Sequence, residues 1–171
     1  MIEKFNDINT FIFDVDGVLT DSFVYVLEDG ELLRKMNTRD GMAMKMAIEK
    51  GYEIIIITGG KSKGVIKRLE NLGIKKIYAG IDSKIQVLED LVNYENLDLS
   101  KTLYMGDDIN DYDCLRAVHL STCPKNAAHD IKSLAQYISP YDGGMGCVRD
   151  VIEKVMRLHH KWEFASQLKN E

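Results

Sequence analysis

Short apolar runs alternate with amphipathic segments along most of the chain. Residues 10–13, 52–57, 76–79, 102–105, 119–122 and 136–139 read as strands, several of them apolar at almost every position. Residues 40–51, 62–73, 83–95, 110–118 and 126–135 read as the intervening helices, with Gly51 and Gly73 placed as C-terminal stops. A last helix starts near Gly146 and runs to about Trp162. This alternation predicts an α/β fold with a doubly wound parallel sheet. No repeat, low-complexity tract or interdomain linker interrupts it, so residues 1–171 read as one domain. Only the tail "ASQLKNE" reads as frayed.

One segment breaks the pattern. "SFVYVLEDGELLRKM", residues 22–36, reads as an inserted β-hairpin turning at Glu28 to Glu31. Phe23 to Leu27 is apolar throughout, so both faces of that strand require cover. Either the hairpin folds back on its own domain or it pairs with copies of itself in an oligomer.

Composition narrows the function. A net charge of −5 argues against a polyanion such as nucleic acid as partner. The apolar run Ile54 to Ile57 is too short to cross a bilayer, and "MIEKFNDINT" lacks the apolar core of a signal peptide. Cys114, Cys123 and Cys147 have neither metal-site spacing nor the even count of a disulfide framework. They suit reduced thiols in a cytoplasmic protein.

The chemistry gathers at strand ends. Asp14 and Asp16 follow the first strand, where open α/β sheets bind ligands. Side chains two apart in an extended segment return to the same side. Two such carboxylates suit a hard cation such as Mg²⁺, or can divide a reaction into nucleophile and acid/base. An EF-hand is excluded because its third ligand position falls on Val18. Thr58, Gly59 and Gly60 follow the next strand; a hydroxyl and flexible amides suit a phosphate, although Thr58 alone also suits a helix N-cap. Lys84 opens a helix, where its charge opposes the dipole, or it is a solvated surface group. "GDDINDYD" then supplies Asp107, Asp108 and Asp111, either an acidic helix-capping loop or the completion of a cation site.

"DVDGVLTD", "ITG", Lys84 and "GDDIND" resemble, in order, the four motifs of the haloacid dehalogenase (HAD) phosphatase superfamily, and the likeness spans nearly the whole chain. The resemblance implies a Rossmann-like HAD core in which Asp14 attacks phosphorus and Asp16 serves as acid and base. It implies that Thr58 and Lys84 bind phosphoryl oxygens. Mg²⁺ would bridge Asp14, the backbone carbonyl of Asp16 and Asp107, with Asp108 and Asp111 in support. Neither the stretch from Asp21 to Thr58 nor that from Thr58 to Lys84 has room for a folded cap domain.

"DGELLRKMNTRDGMAMKMA" and "GGMGCVRDVIEKV" resemble a capless branch, the 3-deoxy-D-manno-octulosonate 8-phosphate (KDO 8-phosphate) phosphatases. That implies release of phosphate from a small keto-deoxy sugar acid phosphate in lipopolysaccharide synthesis, with a nine-carbon acid 9-phosphate as the alternative. It also implies a homotetramer built on the hairpins, with Gly143, Gly144 and Gly146 reaching an adjacent subunit's site unless they form only a loop. Arg39 would meet the substrate carboxylate unless it is a plain surface arginine. Two positions depart from the branch: Gly60, then Lys61, stands where relatives carry arginine or glutamate, and Met145 where many carry arginine. Lys61, Arg39 or Arg149 could substitute. A phospho-accepting receiver module is disfavoured, because there the adjacent acidic pair comes early rather than late. A catalytically silent homologue is disfavoured by the complete residue set.

Overall fold

The computed structural model describes residues 2–163; the predicted frayed tail lies outside them. The chain runs α1 (Ile2–Asn6), β1 (Thr10–Phe13), β2 (Tyr25–Val26), β3 (Leu32–Leu33), α2 (Thr38–Glu49) and β4 (Glu53–Thr58). It continues through α3 (Lys63–Asn71), β5 (Lys76–Ala79), α4 (Lys84–Glu95), β6 (Thr102–Met105) and α5 (Tyr112–Ala117). β7 (Leu120–Cys123), α6 (His129–Leu134), β8 (Tyr137–Ile138) and α7 (Cys147–Leu158) complete it.

Six strands form one parallel sheet in the order β5-β4-β1-β6-β7-β8. Strand alternation sends successive side chains to opposite faces. Phe11, Phe13, Ile54, Ile56, Leu103 and Met105 pack with α2, α3 and α7 on one face. Ile12, Ile55, Ile57 and Tyr104 pack with α4, α5 and α6 on the other. Both faces are therefore covered, which is why several strands read as almost wholly apolar. The chain extends from β1 outward through β4 and β5, then returns to place β6 on the other side of β1. The C-terminal ends of β1, β4 and β6 thus lie side by side at a topological switch point.

Several boundaries differ from the sequence reading for local reasons. α2 begins two residues early because Asn37 caps it, accepting a hydrogen bond from Arg39 N at 2.8 Å. α7 stops at Leu158 rather than near Trp162: His160 adopts φ 54, and the amides of Lys161 and Trp162 turn back onto Met156 O. Trp162 is buried there. α1 was not foreseen; Phe5 secures it, meeting Tyr137 edge-on at 5.2 Å between ring centroids.

The hairpin forms, with Tyr25 opposite Leu33 and Val26 opposite Leu32. Gly30, at φ +86, closes its turn. It makes its own two-stranded sheet and does not bury its apolar residues on the domain. Phe23, Tyr25 and Val26 stay 70–78% exposed, so the fold-back alternative is not what the chain adopts. Among the described residues no helix is long and apolar enough to cross a membrane.

Candidate active site

Asp14 directly follows β1 and is buried. Its Oδ1 accepts from Val15 N at 2.7 Å, and its Oδ2 lies 2.8 Å from Lys84 Nζ. Lys84 is no solvated surface group: its side chain is 2% exposed, and Nζ also donates to Asp111 Oδ1 at 2.7 Å. Tyr104 OH, fully buried on β6, donates to that same oxygen at 2.7 Å. Asp111 Oδ2 accepts from the amides of Asp107 at 3.0 Å and Asp108 at 3.4 Å. A carboxylate offers about four lone-pair positions, so Asp111 is saturated and acts as a brace for Lys84.

One carboxylate oxygen each from Asp14, Asp107 and Asp111 can be found within 4.8 Å of one another. Burial pushes the Asp14 carboxyl up to about 7, helped by Asp111 and opposed by Lys84. Asp107 also rises to about 7, first through burial and then through Asp14, Asp111 and Asp108. Burial works against the Lys84 ammonium, but Asp14 and Asp111 outweigh it and raise its pKa. One ammonium among three carboxylates leaves an excess of negative charge in oxygen-rich surroundings. That donor set fits a hard divalent cation. Asp107 accepts no hydrogen bond to its carboxylate among the described residues, and it lies against Gly17, the residue after the Asp16 carbonyl. A Cβ at Gly17 would fall 1.9 Å from Asp107 Oδ2. Asp14 and Asp107 are therefore the carboxylates left to face a cation, whereas Asp111 is saturated.

Asp14, Asp16, Thr58, Gly59, Gly60, Asp107, Asp108 and Asn110 line one cavity of about 360 Å³, with Ser22 at its wall. Thr58 is not a helix cap, a task that Ser62 performs for α3; its Oγ1 accepts from Gly60 N at 3.1 Å and shapes the loop. Asp108 is exposed and caps the turn Ile109–Asp111. Lys61 is exposed beside the hairpin, lining a separate groove with Arg34. Arg39 does not line the cavity. The first turn of α2 carries it to a groove of about 590 Å³ shared with Tyr141, Met145 and α7.

Two features escaped the sequence reading. Arg34 grips Asp16 through two bonds, Nε to Oδ1 at 2.6 Å and Nη2 to Oδ2 at 3.1 Å; the arginine stands inside the quoted hairpin motif, but nothing local marks its partner. The glycine-rich segment supplies the second. Within this chain it packs on the loop after β1, with Gly144 N donating to Val18 O at 2.9 Å. A Cβ at Gly143 would fall 1.9 Å from Gly17 O. These glycines therefore brace the loop after β1 in their own chain.

A family described as haloacid dehalogenase-like hydrolase matches residues 76–149. The KDO 8-phosphate phosphatase KdsC of Escherichia coli K12 is 34% identical over 165 residues, 96% of this chain and 88% of that protein. The crystal structure of KDO 8-phosphate phosphatase from Yersinia pestis superposes with a TM-score of 0.90 at 31% identity, covering 94% of this chain and 86% of that one. The Moraxella catarrhalis enzyme, solved with magnesium, phosphate and KDO, gives 0.87 at 30% identity, covering 92% and 90%.

Proposed function

Because the chain belongs to the haloacid dehalogenase-like hydrolases, among the KDO 8-phosphate phosphatases, we propose that it hydrolyses a keto-deoxy sugar acid phosphate, KDO 8-phosphate first among candidates. The observation that carries this reading is the buried Asp14–Lys84–Asp111 chain beside Asp107, opening into the cavity shared with Asp16 and Thr58. The magnesium and KDO bound by the Moraxella relative support the ion and the sugar acid.

Asp14 attacks phosphorus in line, forming an aspartyl phosphate while the P–O bond to the sugar breaks. Asp16 gives its proton to the departing oxygen. It then takes a proton from the water that attacks phosphorus, which restores Asp14 and releases phosphate. Lys84, the Thr58 hydroxyl and the Gly59 amide meet the phosphoryl oxygens as charge shifts during transfer. Mg²⁺ would be held by Asp14, Asp107 and the Asp16 carbonyl, and when bound supplies the positive charge that lets an anionic nucleophile meet an anionic ester. Tyr104 and Asp111 hold the Lys84 ammonium in place.

The exposed hairpin supports assembly into a homotetramer. Three buried free cysteines suit a reducing cytoplasm. The test is phosphate release from KDO 8-phosphate, a nine-carbon keto-deoxy acid 9-phosphate and neutral sugar phosphates, with Mg²⁺ and with EDTA. The reading expects Mg²⁺-dependent release with the highest kcat/KM on KDO 8-phosphate. Release that ignores EDTA, or no release from either acid, overturns it; a higher kcat/KM on the nine-carbon acid moves the assignment to that substrate.

A further inference from the structure

Arg34 stands between two compartments. On one side its guanidinium holds both oxygens of Asp16, and Nη1 donates to Leu32 O at 3.2 Å. These three bonds engage all three nitrogens of the guanidinium. The Arg34 side chain is 10% exposed, against 40% for Asp16, so the arginine is the more firmly seated partner. The absence of a side chain at Gly60 makes room: a Cβ there would lie 3.3 Å from Asp16 Oδ2, 3.4 Å from Thr58 Oγ1 and 3.7 Å from Arg34 Nη2. The guanidinium therefore reaches the edge of the phosphate-binding loop.

On its other side Arg34 lines a groove of about 470 Å³ between the hairpin and residues 61–64, together with Lys61, Lys63, Glu31, Leu32 and Leu33. The Lys61 stem is laid over Gly80, whose added Cβ would come 3.0 Å from Cε and 3.1 Å from Cγ. Three cations face one carboxylate here, so the groove is cationic and adjoins the phosphoryl cavity. A substrate carrying a phosphate at one end and a carboxylate at the other matches two neighbouring anion sites.

We propose that Arg34 is a specificity-determining residue that reads the substrate's carboxylate in this groove and couples that recognition to Asp16. A planar guanidinium pairs with a carboxylate through parallel N–H bonds, and a substrate carboxylate competes with Asp16 for them. Once the substrate takes the guanidinium, an Asp16 oxygen is free to face the departing sugar oxygen. An ester without the carboxylate leaves Asp16 engaged. The inference rests on the keto-acid reading above.

The test compares Arg34→Gln, Arg34→Lys and Lys61→Gln with the wild type on KDO 8-phosphate and on p-nitrophenyl phosphate, which has no carboxylate and an easily expelled leaving group. Arg34→Gln should raise KM for the sugar acid so that its kcat/KM falls at least about tenfold further than that for the aryl ester. Arg34→Lys should recover part of that difference, since it keeps the charge without the fork. Lys61→Gln, on an exposed side chain away from Asp16, should show a smaller selective rise in KM, and it carries the test should Arg34→Gln fail to fold. Equal losses on both substrates, or a fall in kcat at unchanged KM, would make Arg34 a holder of Asp16 alone and overturn the inference. A wild-type enzyme with no preference for the sugar acid over a neutral sugar phosphate overturns the functional reading itself.

Discussion

Removing divalent metal should make the protein lose stability as the pH rises from 5 to 8. In the metal-free fold, burial and Asp111 push the Asp14 carboxyl from 3.8 to about 7. The folded chain then binds this proton more tightly than the unfolded chain. The stabilisation is fully present below the unfolded value and is lost as the pH passes through about 7. Between pH 5 and a folded value of about 7 the loss corresponds to about 3 kcal/mol at about 1.4 kcal/mol per unit. For a chain of this size about 1 kcal/mol moves Tm by roughly 2–4 °C, giving a fall of roughly 6–12 °C. Asp107 rises to about 7 in the same cluster, and the two titrate as a unit rather than adding. Asp40, buried under the start of α7 with its Oδ2 unbonded, is raised to about 6 and loses stability in the same direction. Parallel melts of Asp40→Asn separate its share. Carboxylates held low, such as Asp21 and Glu95, are already ionised at pH 5 and do not enter this window. The assay is thermal unfolding followed by circular dichroism in EDTA at pH 5, 6, 7 and 8, repeated with excess Mg²⁺. Mg²⁺ should restore more degrees at pH 8 than at pH 5, because binding to carboxylates competes with protons. Metal-free protein that melts at pH 8 no lower than at pH 5, or equal rescue at both, would refute the electrostatic account.

Other perturbations probe the same parts separately. Lys84→Met removes the ammonium that touches Asp14 and Asp111; urea unfolding at pH 8 should show a loss of roughly 3–5 kcal/mol, smaller at pH 5, with phosphate release abolished. Gly17→Ala must place a methyl 1.9 Å from Asp107 Oδ2 at φ +87, so the Mg²⁺ concentration for half-maximal activity should rise at least about tenfold; unchanged metal dependence would count against Asp107 as a ligand. Val26→Lys puts a charge on the exposed hairpin strand, and light scattering should shift from the oligomer to the monomer; an unaltered mass would remove the hairpin from the interface.

The architecture was legible because its cause is local. A four-residue strand such as Thr10–Phe13 buried on both faces must be apolar at almost every position, and an acidic pair after such a strand marks the carboxyl end of a parallel sheet. Helix ends were less legible, since hydrogen-bond competition at the last turn settles them: Trp162 leaves α7 because Met156 O receives its amide and the ring finds a buried place. Within the site, Lys84 shows the limit most sharply. Its position at a helix start argues for a solvated group or an awkward charge, and only the arrival of Asp14 and Asp111, 70 and 27 residues away, turns it into a buried ion pair.

Arg34 and the glycines at 143 and 144 carry the argument further. Their partners lie 18 residues away for Arg34–Asp16 and across most of the chain for Gly144–Val18. No periodicity, cap or turn rule connects positions so spaced. What the sequence does display at such positions is a glycine run that reads as a turn and an arginine among other charged hairpin residues, neither of which marks its distant partner. Gly143 is needed because the Gly17 carbonyl occupies the space of a Cβ. Gly17 is needed because Asp107 occupies its own. One close-packed stack therefore runs from the glycine-rich segment through the loop after β1 to the candidate metal ligand. A side chain added at Gly143 should reach Asp107 only by moving that loop. The physical content of the "GGMG" run is thus the close approach of its backbone to the loop after β1, and through Gly17 to the Asp107 carboxylate, a constraint that becomes visible once the fold has brought residues 17, 107 and 143 together.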